Sequence, residues 1–554
     1  MKLTKITAMV AAIATAAGLG AVAASSASAQ VLTEGVKTIT LNATSADQLT
    51  GHTFKVVKVA SYDVYGTAPN QSVTLKTEDA LKTDIADYLK YPGNGDPLAW
   101  AQQQDKAKLD QSTVSPWLGD GTTRGLADKL ASKATTDITP TLSGDNKQAT
   151  FTLTSPGLWL IVDQAATGKS SKALPILAGT PLTINNNKVY SDGRIAMKNQ
   201  TASVGKTVTD QTVAAGQDAS YKITTTVPNY VGYKVKGYQF TVSDKFADDA
   251  PLSYKANTLI VKIGDQALTQ GTDYTVTGFD PTSKTFTIDL SAYIKAQGFG
   301  TSAPVDDSKF TNDKLVGKTV TVEYKATVTG STGNNGAANT PTIKYPNDPT
   351  NNEHKQEVPG TPVKVFNFDY TLVKKDKSTG AALEGAKFAI KNADGKYLAY
   401  TATADGGKKW SKLDAKPDAD ATSGVFTTGM DGKVKFPALD EGKYTIEEIA
   451  TPTGYVNVGV SFNFTIKANL TGTGADQTAN PTYTIDTDSA SSDRWGLVSN
   501  GSTAEVVVEN VKNITQLPLT GGAGTVLFTV VAALLIGAGV TVGVVKSRKV
   551  STIA

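Results

Sequence analysis

Six strand-like stretches of this 554-residue sequence each carry one polar residue on an otherwise apolar face. Residues two apart in a strand share a face. By that rule Val204, Lys206 and Val208 align in "VGKTVTD", and Phe240, Val242, Asp244 and Phe246 align in "FTVSDKF". Ala337, Asn339, Ile343 and Tyr345 align in "GAANTPTIKY". Further along, Phe368, Tyr370, Leu372 and Lys374 align in "FNFDYTLVKKD". Tyr444, Ile446, Glu448 and Ala450 follow in "YTIEEIA", then Ala504, Val506, Val508 and Asn510 in "AEVVVEN". The neighbours Lys375, Glu447 and Glu509 fall on the opposite, wet face. The order lysine, carboxylate, asparagine thus occurs twice.

A lone charge in an apolar interior costs several kcal/mol, so such groups shift their pKa or find partners. A buried ion pair with an amide bonded to it is the plain reading. Chemistry is the other. Desolvation lowers the lysine pKa and raises the carboxyl pKa, leaving a neutral amine beside a protonated acid. The amine can attack the asparagine side-chain carbonyl carbon while the acid polarises that carbonyl and shuttles protons as ammonia leaves. The product is a Lys–Asn amide joining the first and last strands of a domain, expected as Lys206–Asn339 with Asp244 and as Lys374–Asn510 with Glu448. Such a link closes a long loop as a disulfide does. The chain has no cysteine to do so otherwise.

The elements that must position these groups read as strands. Short alternating runs such as "TFKVVKV", "LWLIVD", "SYKITTTV" and "KTVTVEYKATVTG" recur between Gly, Asn, Asp and Pro turns. That pattern signals antiparallel sandwiches. Helical pattern is sparse, clearest in "TEDALKTDIADYLKY" and "TRGLADKLASKA" of the N-terminal third. A fresh strand run near 200–201 and the Pro- and Asn-rich connector "YPNDPTNNEHKQEVPGTPVKV" suggest boundaries. The expected parts are 1–29, 30–200, 201–361, 362–512 and 513–554: an all-β chain of three domains, some helix in the first, between two terminal signals.

Those signals frame the topology. Lys2 and Lys5 precede an apolar stretch to about Ala24 and then "SSASAQ", a secretory signal with cleavage after Ala29. At the other end Ala523 to Val545 contains no charge and is long enough, at 1.5 Å per residue, to cross a core of roughly 30 Å. Lys546, Arg548 and Lys549 supply the positive flank. "LPLTGG" stands immediately before this stretch, which a plain anchor does not require. A net charge of +3 without a basic tract argues against a nucleic-acid partner. The two histidines, His52 and His354, are expected at the surface and give little support to His-based catalysis or zinc. No phosphate loop or G-x-S-x-G is present, "NDPTNNE" and "DAKPDADAT" read as turns, and neither enzyme activity, metal nor cofactor is expected.

"VGKTVTD", "FTVSDKF" and "NTPTIKYPNDP" resemble the CnaA-like isopeptide domain of Gram-positive pilins. "LVKKD…LEGAKFAI", "FTTGMDGKVKFPALDEGKYTIEEIATPTGY" and "VVVENVK" look like a CnaB-type domain, and Leu517, Pro518, Leu519, Thr520 and Gly521 match the LPXTG sorting signal. Together these resemble a major (shaft) pilin of the Spa/FimA type, tandem Ig-like β-sandwiches covering nearly the whole mature chain. The resemblance implies cleavage by sortase between Thr520 and Gly521, transfer of the threonine to a lysine of the next subunit, and a covalent homopolymer fixed to peptidoglycan, supporting adhesion. Its localisation would be the cell wall, with a transient stay in the membrane.

Family shaft pilins carry W-x-x-x-V-x-V-Y-P-K-N at the end of the first domain. Here "VYSDGRIAMKNQ" keeps Lys198 before Asn199 but lacks the Trp and the Tyr-Pro. Lys198 is the expected intersubunit acceptor, with Lys188 and Lys206 as alternatives. The first domain also offers Lys37, Asp163 and Asn199, yet no glutamate equivalent to Glu448, and a third bond is not expected. The rival reading is a monomeric wall-anchored adhesin using the same domains as a stalk. The acceptor lysine discriminates the two.

Overall fold

The computed structural model describes residues 30–102, 122–165, 172–185, 188–197, 199, 202–299, 309–310, 312–349, 351–404, 406–486, 492–501 and 504–517. Ala29, Lys198, Pro518 to Gly521 and the apolar stretch 523–545 lie outside them. Among the described residues no helix is long and apolar enough to cross a membrane. The protein is all-β, with short helices.

In the first third, the strand Thr53–Tyr65 pairs with Leu158–Ala165, which in turn pairs with Ile176–Gly179. A second sheet is built on Thr38–Asn42 and Gln148–Thr152, with Arg194–Ala196 parallel to the former. Trp159 and Ile161 fill the space between these sheets, whereas Leu158, Leu160 and Val162 face helices. The register shift between Lys58 and Ala60 changes the alternation of the long strand, so Phe54 and Val56 join one core while Ala60 and Tyr62 join the other.

The two expected helices form, as Lys82–Leu89, preceded by a 3-10 turn, and Thr122–Leu130, followed by one. Pro97–Gln102 and Ser291–Phe299 are helices that the reading above missed. Ser291–Phe299 is apolar without an amphipathic stripe, so the 3.6 period that betrays a surface helix is missing.

The middle third is a sandwich. One sheet runs Val204–Val208, Asp218–Thr226, Thr319–Val328, Ile260–Ile263; the other runs Thr275–Asp280, Thr285–Asp289, Thr241–Phe246, Ala337–Pro346, Lys355–Pro359. Their inner faces share one core. Val363–Val365 still pairs with Ala337–Asn339, and the first residue of the following core is Phe366. The changeover therefore falls slightly beyond 361. The last sandwich opposes Lys433–Leu439, Phe368–Asp376, Glu505–Asn510, Val498–Asn500 to a sheet containing Lys387–Asn392, Gly442–Ala450 and Ser461–Lys467.

The two joints are built differently. Between the first and middle parts, Lys309 pairs with Asp128 at 2.8 Å, Lys172 with Asp348 at 3.5 Å, and Lys172 N–H donates to Asn347 O at 2.7 Å. Between the middle and last parts the backbone is continuous in hydrogen bonding: Ala215 donates to Ala438 O, Trp410 to Ala215 O and Lys408 to Thr329 O. Fully buried Asn367 accepts from Thr332 N–H and donates to Val213 O and Gly330 O, tying three segments at that joint.

Candidate functional site: two buried lysine–carboxyl–asparagine clusters

The alternation of Val204–Val208 turns Lys206 inward, and both its side chain and that of Asp244 are 0% exposed. Lys206 Nζ lies 2.6 Å from each Asp244 oxygen. Asp244 comes from the opposing sheet. Its strand is hydrogen-bonded to that of Asn339, with Phe246 opposite Asn339 and Asp244 opposite Pro341. Lysine thus faces acid and amide across the sandwich. Burial pulls the Lys206 ammonium down to about 8 and pushes the Asp244 carboxyl up.

Tyr324 completes this cluster and was not anticipated. Its hydroxyl accepts from Lys206 Nζ at 2.7 Å and from Asn339 Nδ2 at 2.6 Å, and donates to Asp244 Oδ2. The Tyr221 ring stacks on Tyr324 at 5.3 Å, with Lys206 Nζ 4.6 Å from its centroid. A signal existed: in "KTVTVEYKATVTG" Tyr324 is the polar member of the face Val320, Val322, Tyr324, Ala326, Val328, all buried. Asn339 Oδ1 is buried with no hydrogen-bond partner among the described residues.

The last cluster uses the same residue types in a different arrangement. Phe368–Asp376 and Glu505–Asn510 are parallel neighbours, with Lys374 opposite Val508 and Asp376 opposite Asn510. Lys374 and Asn510 therefore lie diagonally on one face of one sheet. Glu448 reaches them from the other sheet. Glu448 Oε1 is 3.2 Å from Lys374 Nζ and accepts from Asn510 Nδ2 at 2.9 Å, and the lysine and glutamate side chains are 0% exposed. Desolvation again pulls the lysine down to about 8 and pushes the glutamate up. Among the described residues Asn510 Oδ1 and Glu448 Oε2 have no hydrogen-bond partner, and Phe388 covers the amine at 5.6 Å. The outward-facing Glu447 is ion-paired with Lys391 and, at 2.9 Å, with Lys416.

Both clusters set a desolvated amine beside a carboxyl group and a primary amide, the reactants for amide exchange with loss of ammonia. In the first third the residues are engaged otherwise. Asp163 Oδ2 meets His52 Nδ1 at 2.7 Å and accepts from Ala173 N–H, while Asn199 donates to Gln48 O; Lys37 is half-buried. His52 is buried rather than exposed, a correction to the reading above, because it sits where the chain enters a central strand beneath the second sheet. His354 is at the surface, its side chain 65% exposed. Lys206, wholly buried, cannot serve as an intersubunit acceptor. Among the described residues no group of three His, Asp or Glu could hold a metal ion.

The chain reaches its C-terminal motif with little slack. Asn513 Oδ1 caps the 3-10 turn Ile514–Gln516 by accepting from Thr515 N–H, and Leu517, first residue of LPLTG, is 4% exposed within the last core.

Residues 368–479 match the SpaA prealbumin-like fold domain, and residues 509–551 match the LPXTG cell wall anchor motif. Among solved structures, the chain is similar to the T6 backbone pilin of serotype M6 Streptococcus pyogenes (15% identity, TM-score 0.49, covering 87% of this chain and 100% of that one). It is also similar to the full-length major pilin SpaD from Corynebacterium diphtheriae (16%, 0.44, 87% and 99%) and to the pilus 2b backbone protein of group B streptococcus (26%, 0.35, 56% and 98%). No curated protein matches it significantly in sequence. The chain is a Gram-positive surface protein anchored to the cell wall through its LPXTG motif, with a SpaA-type prealbumin-like domain just ahead of that anchor.

Proposed function

We propose that the protein is the shaft subunit of a covalently polymerised pilus, in which each of the last two sandwiches is closed by its own Lys–Asn amide. The observation that carries this reading is the pair of fully buried lysine–carboxyl–asparagine clusters in consecutive sandwiches directly before an LPXTG anchor. Neutral Lys206 Nζ attacks Asn339 Cγ, the Cγ–Nδ2 bond breaks, and ammonia leaves with the proton that the attacking nitrogen surrenders. Asp244 carries that proton and is regenerated. Lys374, Asn510 and Glu448 do the same in the last domain. An amide across the middle sandwich and one between neighbouring strands of the last suit a fibre pulled along its length, because load passes through covalent bonds instead of shearing the strands apart.

Sortase cuts Thr520–Gly521 and passes the threonine to a lysine of the next subunit, and the last of the subunits is joined to peptidoglycan. Lys198 is the proposed acceptor. A denaturing-gel immunoblot of cell-wall extracts from wild type and Lys198→Ala cells tests this. A high-mass ladder collapsing to monomer in the variant is expected. A ladder that survives moves the acceptor to another lysine, and no ladder in sortase-positive wild type overturns the polymer reading in favour of a single anchored adhesin.

A further inference from the structure

We infer that Tyr324 is a catalytic residue of the middle-domain reaction, relaying the proton between the attacking and departing nitrogens. The inference rests on the amide-forming role proposed above.

A phenol oxygen offers one hydrogen and two lone pairs. All three are committed here to the reacting set: Lys206 Nζ and Asn339 Nδ2 donate to it, and its hydrogen goes to Asp244. One oxygen therefore touches both the nitrogen that must lose a proton and the nitrogen that must gain one. Amine and amide are thus gathered on one oxygen. In the last domain that bridging oxygen belongs to the acid itself, since Glu448 Oε1 meets both Lys374 Nζ and Asn510 Nδ2. Aspartate is one methylene shorter than glutamate. The phenol supplies the remaining reach, and the ring standing near Lys374 is Phe388, which has no hydroxyl to contribute.

The step balances without another reagent. As Lys206 Nζ bonds to Asn339 Cγ, its proton passes to the Tyr324 oxygen and the phenol hydrogen to Asp244, while the proton that the acid already holds goes to the Asn339 carbonyl oxygen. The movement then reverses: that hydroxyl returns its proton to Asp244, Asp244 returns one to Tyr324, and Tyr324 hands one to Nδ2, which departs as ammonia. Burial holds the Tyr324 phenol protonated well above its ordinary range, so it enters the step as a donor. Stacking between Tyr221, Tyr324 and the edge of Phe286, whose centroid is 4.9 Å from that of Tyr324, fixes the ring.

The test is a pulse-chase of the full-length chain in a sortase-deficient host, reading the Lys206–Asn339 and Lys374–Asn510 cross-linked peptides by mass spectrometry. Tyr324→Phe keeps the ring and removes only the relay. It is expected to slow the middle-domain link about a hundredfold, the lower end of general acid–base contributions, while the last-domain link forms at the wild-type rate. Its pH profile should change too. Without the phenol donor, Asp244 holds its proton more tightly, and the alkaline fall in rate moves to higher pH. Tyr238→Phe removes another buried hydroxyl of the same sandwich, one without a hydrogen-bond partner among the described residues, and is expected to leave both links unchanged. A wild-type middle-domain rate in Tyr324→Phe overturns the inference, as does equal slowing in Tyr238→Phe, which would mean loosened packing. Absence of both links in the wild-type chain would instead overturn the amide-forming reading on which the inference stands.

Discussion

Asn510→Ala isolates the consequence of one cross-link. It removes the electrophile and leaves Lys374 and Glu448 paired at 3.2 Å, so no buried charge is orphaned. The Lys374–Asn510 link would close a loop of roughly 135 residues, which chain entropy values at about 5 kcal/mol. At about 2–4 °C per kcal/mol for a domain of this size, the last domain's transition should fall by roughly 10–20 °C. The lost side-chain hydrogen bond alone is worth only about 1 kcal/mol. A double-mutant cycle tests their joint dependence on the acid. In a Glu448→Ala background, where neither the link nor the Asn510–Glu448 hydrogen bond can form, Asn510→Ala should leave the transition nearly unchanged. Calorimetry of the four proteins, each checked by intact mass, is the assay. Wild type should be lighter than its sequence by about 17 Da per bond, two bonds in all, and Asn510→Ala should retain one such loss. Equal shifts in both backgrounds would refute the entropic argument, and an unmodified wild-type mass would refute the link itself.

Asp244→Ala and Glu448→Ala should each abolish only their own domain's mass loss, since the clusters sit in separate cores; a joint loss in either variant would contradict that independence. The rate of bond formation after folding should be flat through neutral pH and fall above about 8, where the buried lysine–acid pair gives up its last shared proton, because burial brings Lys206 and Lys374 down to about 8. A rate that climbs steadily with pH would mean that a free, solvent-titrating amine is the nucleophile. Leu517 must leave the last core before sortase can take in LPLTG. Removing the Asn513 cap should therefore raise the cleavage rate of Asn513→Ala by purified sortase several-fold, in line with about 1 kcal/mol for an N-cap. No change would indicate that Leu517 frees itself without opening of the capped turn.

Alternation alone decided which residues face inward. Lys206, Asp244, Asn339, Lys374, Glu448 and Asn510 were all legible because a strand's two-residue period leaves a side chain only two directions, and their apolar neighbours named the buried one. Composition and the LPXTG motif likewise disclosed a wall-anchored chain without cysteine. Only tertiary structure decided what meets what across the sandwich. The same sequence order of lysine, acid and asparagine becomes two geometries: Lys206 faces Asp244 and Asn339 from the other sheet, whereas Lys374 and Asn510 share a sheet and Glu448 alone crosses over. Periodicity within a strand carries no information on which strand is its neighbour or which lies opposite. For the same reason Tyr324 passed unremarked within its strand run, and His52 read as a surface histidine although Asp163 approaches it from 111 residues away. Local pattern sets direction along the chain, and long-range packing sets the partners, because the contacts that bury a polar group come from segments the local sequence does not contain.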